Sequence, residues 1–282
     1  MLLDIPKTER VDFNGGYGVI KVDTFNQRIK IVAFEGDIAF LLEKIEIIAK
    51  KVNAGKIFYI GGEADIKVFK KNNFIMEAKV YSFLKGEPGY FLSKFLKQER
   101  KMSLYVPEEE EVLIRSRDYI KDNYEYIIYD KYEIRDACEE DAEQLARLYK
   151  SVFETYPSPM NNGEYIKYAM KNHVYFKVIT YNNRIISSAS ADMDPENYNA
   201  EMTDCATEVE HRGQGLMGRL ILELEKEMRR KNYNVFYSTA RSISAGMNII
   251  FAKHNYEYGG KLVNHCHICG GFENMNIWVK VL

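Results

Sequence analysis

An α+β fold is predicted by three features of the sequence: short strand-like segments interleaved with segments of helical period, a strong hairpin signal in the second half, and an internal repeat. Residues 29–34 alternate like a strand. Over 38–51, Phe40, Leu41, Leu42, Ile45, Ile48 and Ala49 fall at helical spacing, Ala54-Gly55 ends that helix, and 56–60 reads as a buried strand. In the second half, 132–135 predicts a short strand. Residues 140–153 predict a helix that turns Ala142, Leu145, Leu148, Tyr149 and Val152 inward. The runs 174–181 and 184–193 are joined by Asn182-Asn183, which favours a hairpin turn. A further strand over 201–209 leads into a glycine-bearing turn.

The repeat is written in matched segments. Phe40-Leu41-Leu42-Glu43-Lys44-Ile45-Glu46, Lys56-Ile57-Phe58-Tyr59 and the run from Phe69 to Phe74 recur as Arg219-Leu220-Ile221-Leu222-Glu223-Leu224-Glu225, Asn234-Val235-Phe236-Tyr237 and the run from Phe251 to Tyr256. Helix, strand and helix therefore occur twice, which predicts two units, 1–128 and 129–282. Their junction is expected at the acidic run Glu108 to Glu111 and the tyrosine-rich stretch after it. The first copy has no counterpart of the glycine turn, so its expected role is packing, lid formation or dimerisation rather than chemistry.

Composition narrows the partners. Lys and Arg number 39 against 41 Asp and Glu in 282 residues, so no basic footprint for nucleic acid or anionic lipid dominates, and the expected partner is a small molecule. Residues 1–10 are too charged for a secretory signal, and there is no long uncharged run to span a bilayer. Cys138, Cys205, Cys266 and Cys269 are too few and too irregular for a disulfide framework. A cytoplasmic protein, monomer or homodimer, is expected.

The densest chemical signal is Glu208-Val209-Glu210-His211-Arg212-Gly213-Gln214-Gly215-Leu216-Met217-Gly218-Arg219, between a strand and a helix. Leu216, Leu220, Ile221, Leu224 and Met228 share one helical face, so the glycines sit at the helix start. Free amides there, the positive end of the helix dipole and the absence of an acid over 214–219 suit an incoming anion, and a pyrophosphate is the natural ligand. A tight strand-to-helix turn without a ligand is the plain alternative. A Walker loop lacks its Gly-Lys-Ser/Thr, and a Rossmann fingerprint lacks its context.

The stretch resembles the acetyl-CoA loop of the GNAT superfamily of N-acetyltransferases, whose pattern is Arg/Gln-x-x-Gly-x-Gly/Ala. Arg212 and Gly215 match, Met217 departs from the final position, and Gly218 follows one residue late. The resemblance covers about 131–282. Glu201-Met202-Thr203-Asp204-Cys205-Ala206-Thr207, the run from Phe153 to Pro157, Gly246-Met247-Asn248 and the run from Ile268 to Trp278 further resemble the beta-lysine N6-acetyltransferase family, in which an N-terminal extension is also present. The resemblance implies a mixed, mostly antiparallel sheet flanked by helices, preceded by a degenerate copy of the same half-fold. It also implies acetyl-CoA as cosubstrate, with Ala206, Thr207, Arg212, Gly213, Gln214, Gly215, Leu216, Met217, Gly218, Ser244 and Asn248 as its contacts. The acceptor would be the side-chain amine of beta-lysine, with another small amine, a protein lysine or a non-catalytic acyl-CoA sensor as alternatives.

An amine attacks a thioester only when neutral, so a carboxylate must take its proton. Glu201 is the first candidate for that base, and Asp204 is base or amine anchor. Three residues apart on a strand, they face opposite ways unless a bulge intervenes. Arg241 is the candidate clamp for the acceptor carboxylate. Tyr156, Asp192, Asn264 and His265 are the remaining candidate acceptor contacts. Ser244 stands either as a cofactor contact or as a helix cap. Phe251 occupies the position of the family's usual proton-donating tyrosine. Cys205 is not expected to act as a nucleophile, and the crowded His265-Cys266-His267-Ile268-Cys269 is not expected to bind a metal.

Overall fold

A computed structural model describes residues 5–120 and 130–282, so the expected boundary at 128/129 lies outside the described residues. In chain order the elements are strands β1 (Lys7–Phe13), β2 (Gly16–Asp23) and β3 (Arg28–Glu35), helix α1 (Ile38–Lys51), β4 (Lys56–Gly61), α2 (Glu63–Lys71), β5 (Ile75–Leu84), β6 (Glu87–Phe95) and α3 (Val106–Arg117). The second half comprises β7 (Glu133–Asp136), α4 (Ala142–Val152), α5 (Gly163–Lys171), β8 (Val174–Tyr181), β9 (Arg184–Asp194), β10 (Asn199–Thr207), α6 (Leu216–Arg230), β11 (Val235–Arg241), α7 (Ala245–Lys253), β12 (Glu257–Ile268) and β13 (Gly271–Val281). The helix expected over 38–51 forms with those bounds. Asn182 and Asn183 adopt positive φ of 50° and 59°, the geometry that lets β8 fold back onto β9.

All these strands join one sheet, in the order β1-β2-β3-β4-β6-β5-β12-β13-β11-β10-β9-β8-β7. The run β1-β2-β3-β4-β6-β5 has the same pattern as β8-β9-β10-β11-β13-β12. In each, the third and fourth strands (β3 with β4, β10 with β11) are parallel and the other neighbours antiparallel. The repeated segments of the sequence thus become α1 and α6, β4 and β11, α2 and α7. The two runs meet through equivalent strands, β5 antiparallel to β12, with Gly260 opposite Ala78.

Backbone contact at this seam explains its glycines. At Gly260, φ is +142°, and a Cβ would lie 2.3 Å from the Glu77 carbonyl oxygen. Buried charge locks the joint. Lys56 Nζ lies 2.7 Å from Glu77 Oε2 and donates to the Val263 carbonyl at 2.8 Å, while Glu77 Oε1 accepts from the Val263 amide at 2.7 Å. Removing one partner would strand the other in the interior, at roughly 3–5 kcal/mol. The acidic run Glu108 to Glu111 is not a loose junction: it lies in α3, where Glu109 is buried and accepts from Lys261 Nζ and Asn274 Nδ2.

Helices α1 and α2 cover one face of the first half, setting Leu41, Ile45 and Phe69 over Ile20, Ile29, Ile31 and Ile57. By strand alternation the other face carries Lys21, Asp23, Arg28, Lys30 and Phe58. In the second half, α6 and α7 cover Met202, Phe236 and Trp278, and α4 with α5 packs on Phe176 and Val178. Six strands separate β3 from β10 in the sheet order. That is roughly 34 Å across a flat sheet. Yet Lys30 and Glu201 line one cavity and feel each other's charge. The sheet therefore curls, bringing the uncovered face of the first half opposite the end of β10. Among the described residues, no helix is long and apolar enough to cross a membrane.

Candidate active site

The glycine turn opens α6 as an uncapped helix. Gly213 and Gly215 hold φ of +75° and +74°, a left-handed conformation that a side chain disfavours, and no side chain caps the first amides. At the equivalent place in the first half, Asp37 caps α1 by accepting from the Ala39 amide at 2.9 Å. An anion would find the helix start already filled there and open at α6. The turn is braced from below by a residue that the sequence reading missed. The Tyr132 hydroxyl donates to Gln214 Oε1 at 2.7 Å and lies 3.0 Å from His211 Nδ1. Arg212 Nε donates to the Thr207 carbonyl at 3.0 Å.

Just before this turn, β10 carries the bulge that would let both acids serve one site. Parallel pairing with β11 runs only from Asn199 to Glu201, and pairing with β9 shifts between Thr203 and Ala206. Asp204 takes a positive φ of 49° at the bulge. Its carboxylate accepts from the Ser190 hydroxyl at 2.6 Å and the Tyr156 hydroxyl at 3.1 Å, and Tyr149 donates to its carbonyl at 2.6 Å. Glu201 accepts from Thr239 and from Tyr237. Directly across from it on β9 stands Asp192.

Three acids thus gather at the cavity. Enclosure raises all three from their ordinary values, although the cavity leaves each of them accessible. Asp204 further raises Glu201, against hydrogen bonds from Thr239 and Tyr237 that lower it. For Asp204 itself, Ser190 and Tyr156 partly offset the enclosure. Asp192, enclosed and repelled by Glu201 and Asp204, rises to about 7. An ordinary glutamate lies about 6 pK units below a lysine-type amine, a proton-transfer gap of roughly 8 kcal/mol, and every unit of upward shift removes about 1.4 kcal/mol of it. Cys205 points the other way: burial, then Asp204 and Glu201, push its thiol far up, away from thiolate chemistry.

A single cavity of about 1280 Å³ connects these parts, above the usual range for one small ligand and large enough for a cofactor arm together with an acceptor. Glu201, Asp204, Asp192, Tyr156 and His265 line it, as do Thr207 and the residues from Arg212 to Gly218. Ser244 also lines it, and its hydroxyl does not cap α7.

Other expected contacts are placed elsewhere. Ala206 is buried in the core under α4. Asn248 is fully buried, donating to the Arg241 and Ser244 carbonyls and accepting from Asn276 and Trp278, so none of its polar capacity faces a cofactor. Asn264 turns away from the cavity and donates to the Met102 and Arg100 carbonyls at 2.7 and 3.2 Å. Arg241 borders the cavity, but its guanidinium is held by both carboxylate oxygens of Glu273, with Nε at 2.7 Å. That removes it as a free clamp. His265 and Cys266 sit at the cavity while His267 stacks edge-on against Phe25 and Phe272, so the crowded run does not converge. Among the described residues, no cluster of three or more His, Cys, Asp or Glu could hold a metal ion.

The structure also adds a wall that was not expected. Lys21, Asp23, Arg28, Lys30 and Phe58, all from the first half, line the same cavity. The only sequence signal was a short alternation, Lys21 and Asp23 around Val22 at the end of β2 and Arg28 and Lys30 around Ile29 at the start of β3.

Comparison with known proteins agrees with this geometry. Residues 137–246 match the acetyltransferase (GNAT) family. The chain is 36% identical to a beta-lysine N(6)-acetyltransferase of Methanococcus maripaludis over 93% of this chain and 96% of that protein. It is 35% identical to the N-acetyltransferase YodP of Bacillus subtilis over 95% and 98% of the two chains. A beta-lysine N(6)-acetyltransferase of Methanosarcina mazei is 34% identical over 80% and 81%. With the open helix start, the bulged acidic strand and relatives matched along nearly their whole length, the chain belongs to the beta-lysine N6-acetyltransferase family of GNAT enzymes, acetyl-CoA-dependent N-acetyltransferases.

Proposed function

We propose that the protein moves the acetyl group of acetyl-CoA to the side-chain amine of beta-lysine, giving N6-acetyl-beta-lysine by direct attack within a ternary complex. The observation that carries this reading is that the open start of α6 and the acids Glu201, Asp204 and Asp192 line one cavity. The substrate is supported by two relatives of that name.

In this reading the amides of 213–218 receive the diphosphate of the cosubstrate, and the gap where β10 leaves β11 receives its pantetheine arm. When bound, acetyl-CoA supplies the activated acyl group. Asp204, fixed by Ser190 and Tyr156, anchors the incoming ammonium. Glu201 takes the proton, directly or through water, with Thr239 and Tyr237 fixing its orientation. Phe251 cannot donate a proton, so the thiolate leaves unprotonated from that position and takes its proton from solvent. The first half is a degenerate copy whose helix start is closed by Asp37 and which supplies cavity wall instead of a cofactor site.

Thiol release from acetyl-CoA with beta-lysine, lysine, spermidine and a lysine peptide tests the substrate. Preference for beta-lysine is expected, and preference for any of the others overturns the assignment. Ping-pong kinetics with a trapped acetyl-cysteine would overturn direct transfer.

A further inference from the structure

Lys30 lies on β3 in the uncovered face of the first half and lines the cavity opposite the acids of β9 and β10. Its neighbour across the β2–β3 ladder is Lys21, also lining the cavity. Like charges directly opposite on adjacent strands destabilise a sheet. Neither ammonium has an ion-pair or hydrogen-bond partner among the described residues, and the Phe58 ring centroid lies 5.9 Å from the Nζ of Lys30. The other cation of this face, Arg28, is already engaged: it donates to Asp23 at 2.9 Å and to the His265 carbonyl at 3.1 Å.

Beside this pair lies His265, 7% exposed, with Nδ1 lacking any partner and its ring packed edge-on to Phe58 at 4.9 Å. Burial and the cations Arg28, Lys56, Arg100 and Lys30 hold its imidazole well below the usual histidine range, hence neutral, with one ring nitrogen protonated and able to donate. The cavity therefore has two chemically distinct walls. One gathers three carboxylates; the other presents two unpaired ammonium groups, with the neutral His265 ring packed beside them. A diamine would be served by the first wall alone, whereas a zwitterion uses both.

Resting on the reading that this cavity acetylates a small amino acid, we infer that Lys30, with Lys21 and His265, forms a subsite for the acceptor's carboxylate, so that the first half selects amino acids over simple amines. The second half thus supplies the chemistry and the first half the choice of substrate. This role takes the place of the one expected for Arg241, which Glu273 occupies.

The test compares beta-lysine with its carboxamide, which keeps size and both amines but removes the negative charge, in the wild-type protein and in Lys30→Met and Lys30→Arg. Losing one hydrogen bond between charged groups is expected to raise KM for beta-lysine roughly tenfold to hundredfold in Lys30→Met with kcat nearly unchanged. The acid-over-amide preference in kcat/KM should collapse in Lys30→Met and survive in Lys30→Arg, which also shows that loss is not misfolding. Were Lys30 only a counter-charge for the acids, Lys30→Met would move the pH profile equally for both acceptors and leave their ratio intact, which overturns the subsite. Wild-type protein that ignores beta-lysine but acetylates another amino acid defeats the proposed substrate alone, since the acid-over-amide ratio is then read on that amino acid. Wild-type protein that prefers the amide, or a polyamine, overturns the subsite.

Discussion

Asp192→Asn probes the acid cluster without touching the proposed base. Asp192 and Glu201 are direct cross-strand partners, which puts their Cβ atoms about 5 Å apart and their carboxylates within about 6 Å. At an effective dielectric of about 20, two charges at that distance repel by roughly 2.8 kcal/mol, or two pK units. Because Asp192 is accessible through the cavity, solvent screening reduces this to about one unit. Deleting the charge lets Glu201 ionise more readily wherever Asp192 is itself ionised, so the acid limb of kcat at saturating acceptor should move to lower pH. The assay is loss of thioester absorbance followed from pH 5 to 9.

A second readout needs no chemistry. The Asp192 carboxyl is raised to about 7 from an ordinary 3.8, so below about pH 4 it is protonated whether folded or not and has no effect on stability. Above about pH 7 it is ionised in both states and the fold carries the full penalty. Asp192→Asn should therefore match the wild-type Tm at about pH 4 and exceed it at about pH 8. An acid limb that stays put or moves upward, or a Tm gain greatest at low pH, would refute the charge cluster.

Glu201→Gln should lower kcat by about 10²–10⁴-fold, the usual contribution of a general base, with KM for acetyl-CoA changed less than about threefold; the reverse pattern in initial-rate kinetics would mean that the roles are exchanged. Gly215→Val forces a β-branched residue into left-handed φ and puts bulk on the open helix start, so calorimetry should detect no acetyl-CoA binding while the circular dichroism of the fold persists. Tyr132→Phe removes a hydroxyl that holds both Gln214 and His211. Both residues are partly exposed and can turn to water, so the loss is about 1–2 kcal/mol, read as a 5- to 30-fold rise in KM for acetyl-CoA at unchanged kcat; an unchanged KM would make Tyr132 a core residue only.

Much of the second half was readable along the chain because its signals are local. The hairpin turn depends on two adjacent asparagines, the apolar stripe of α6 on helical spacing, and the open helix start on glycines and the lack of a nearby acid. Spacing alone put Glu201 and Asp204 on opposite faces of a regular strand, and the register shift between Thr203 and Ala206 is what lets both reach one site. What failed were residues judged by neighbourhood. Asn248 and Asn264 look like polar contacts beside the motif, but each saturates its amide against backbone or buried side chains that arrive from other strands. Arg241 looks like a free cation until Glu273, on the next strand of the sheet, engages its Nε and one terminal nitrogen.

The sequence by itself determined the two copies of helix, strand and helix and which of them keeps an anion-binding start, because spacing, glycine and capping act within a few residues. Only the tertiary structure decided that the first copy faces the chemistry. Edge pairing of β5 with β12 and the curl of the continuous sheet carry Lys30 across six intervening strands to the acids of β9 and β10. No local pattern encodes that approach, since it is the accumulated twist of many strand pairs, set by how the two faces pack.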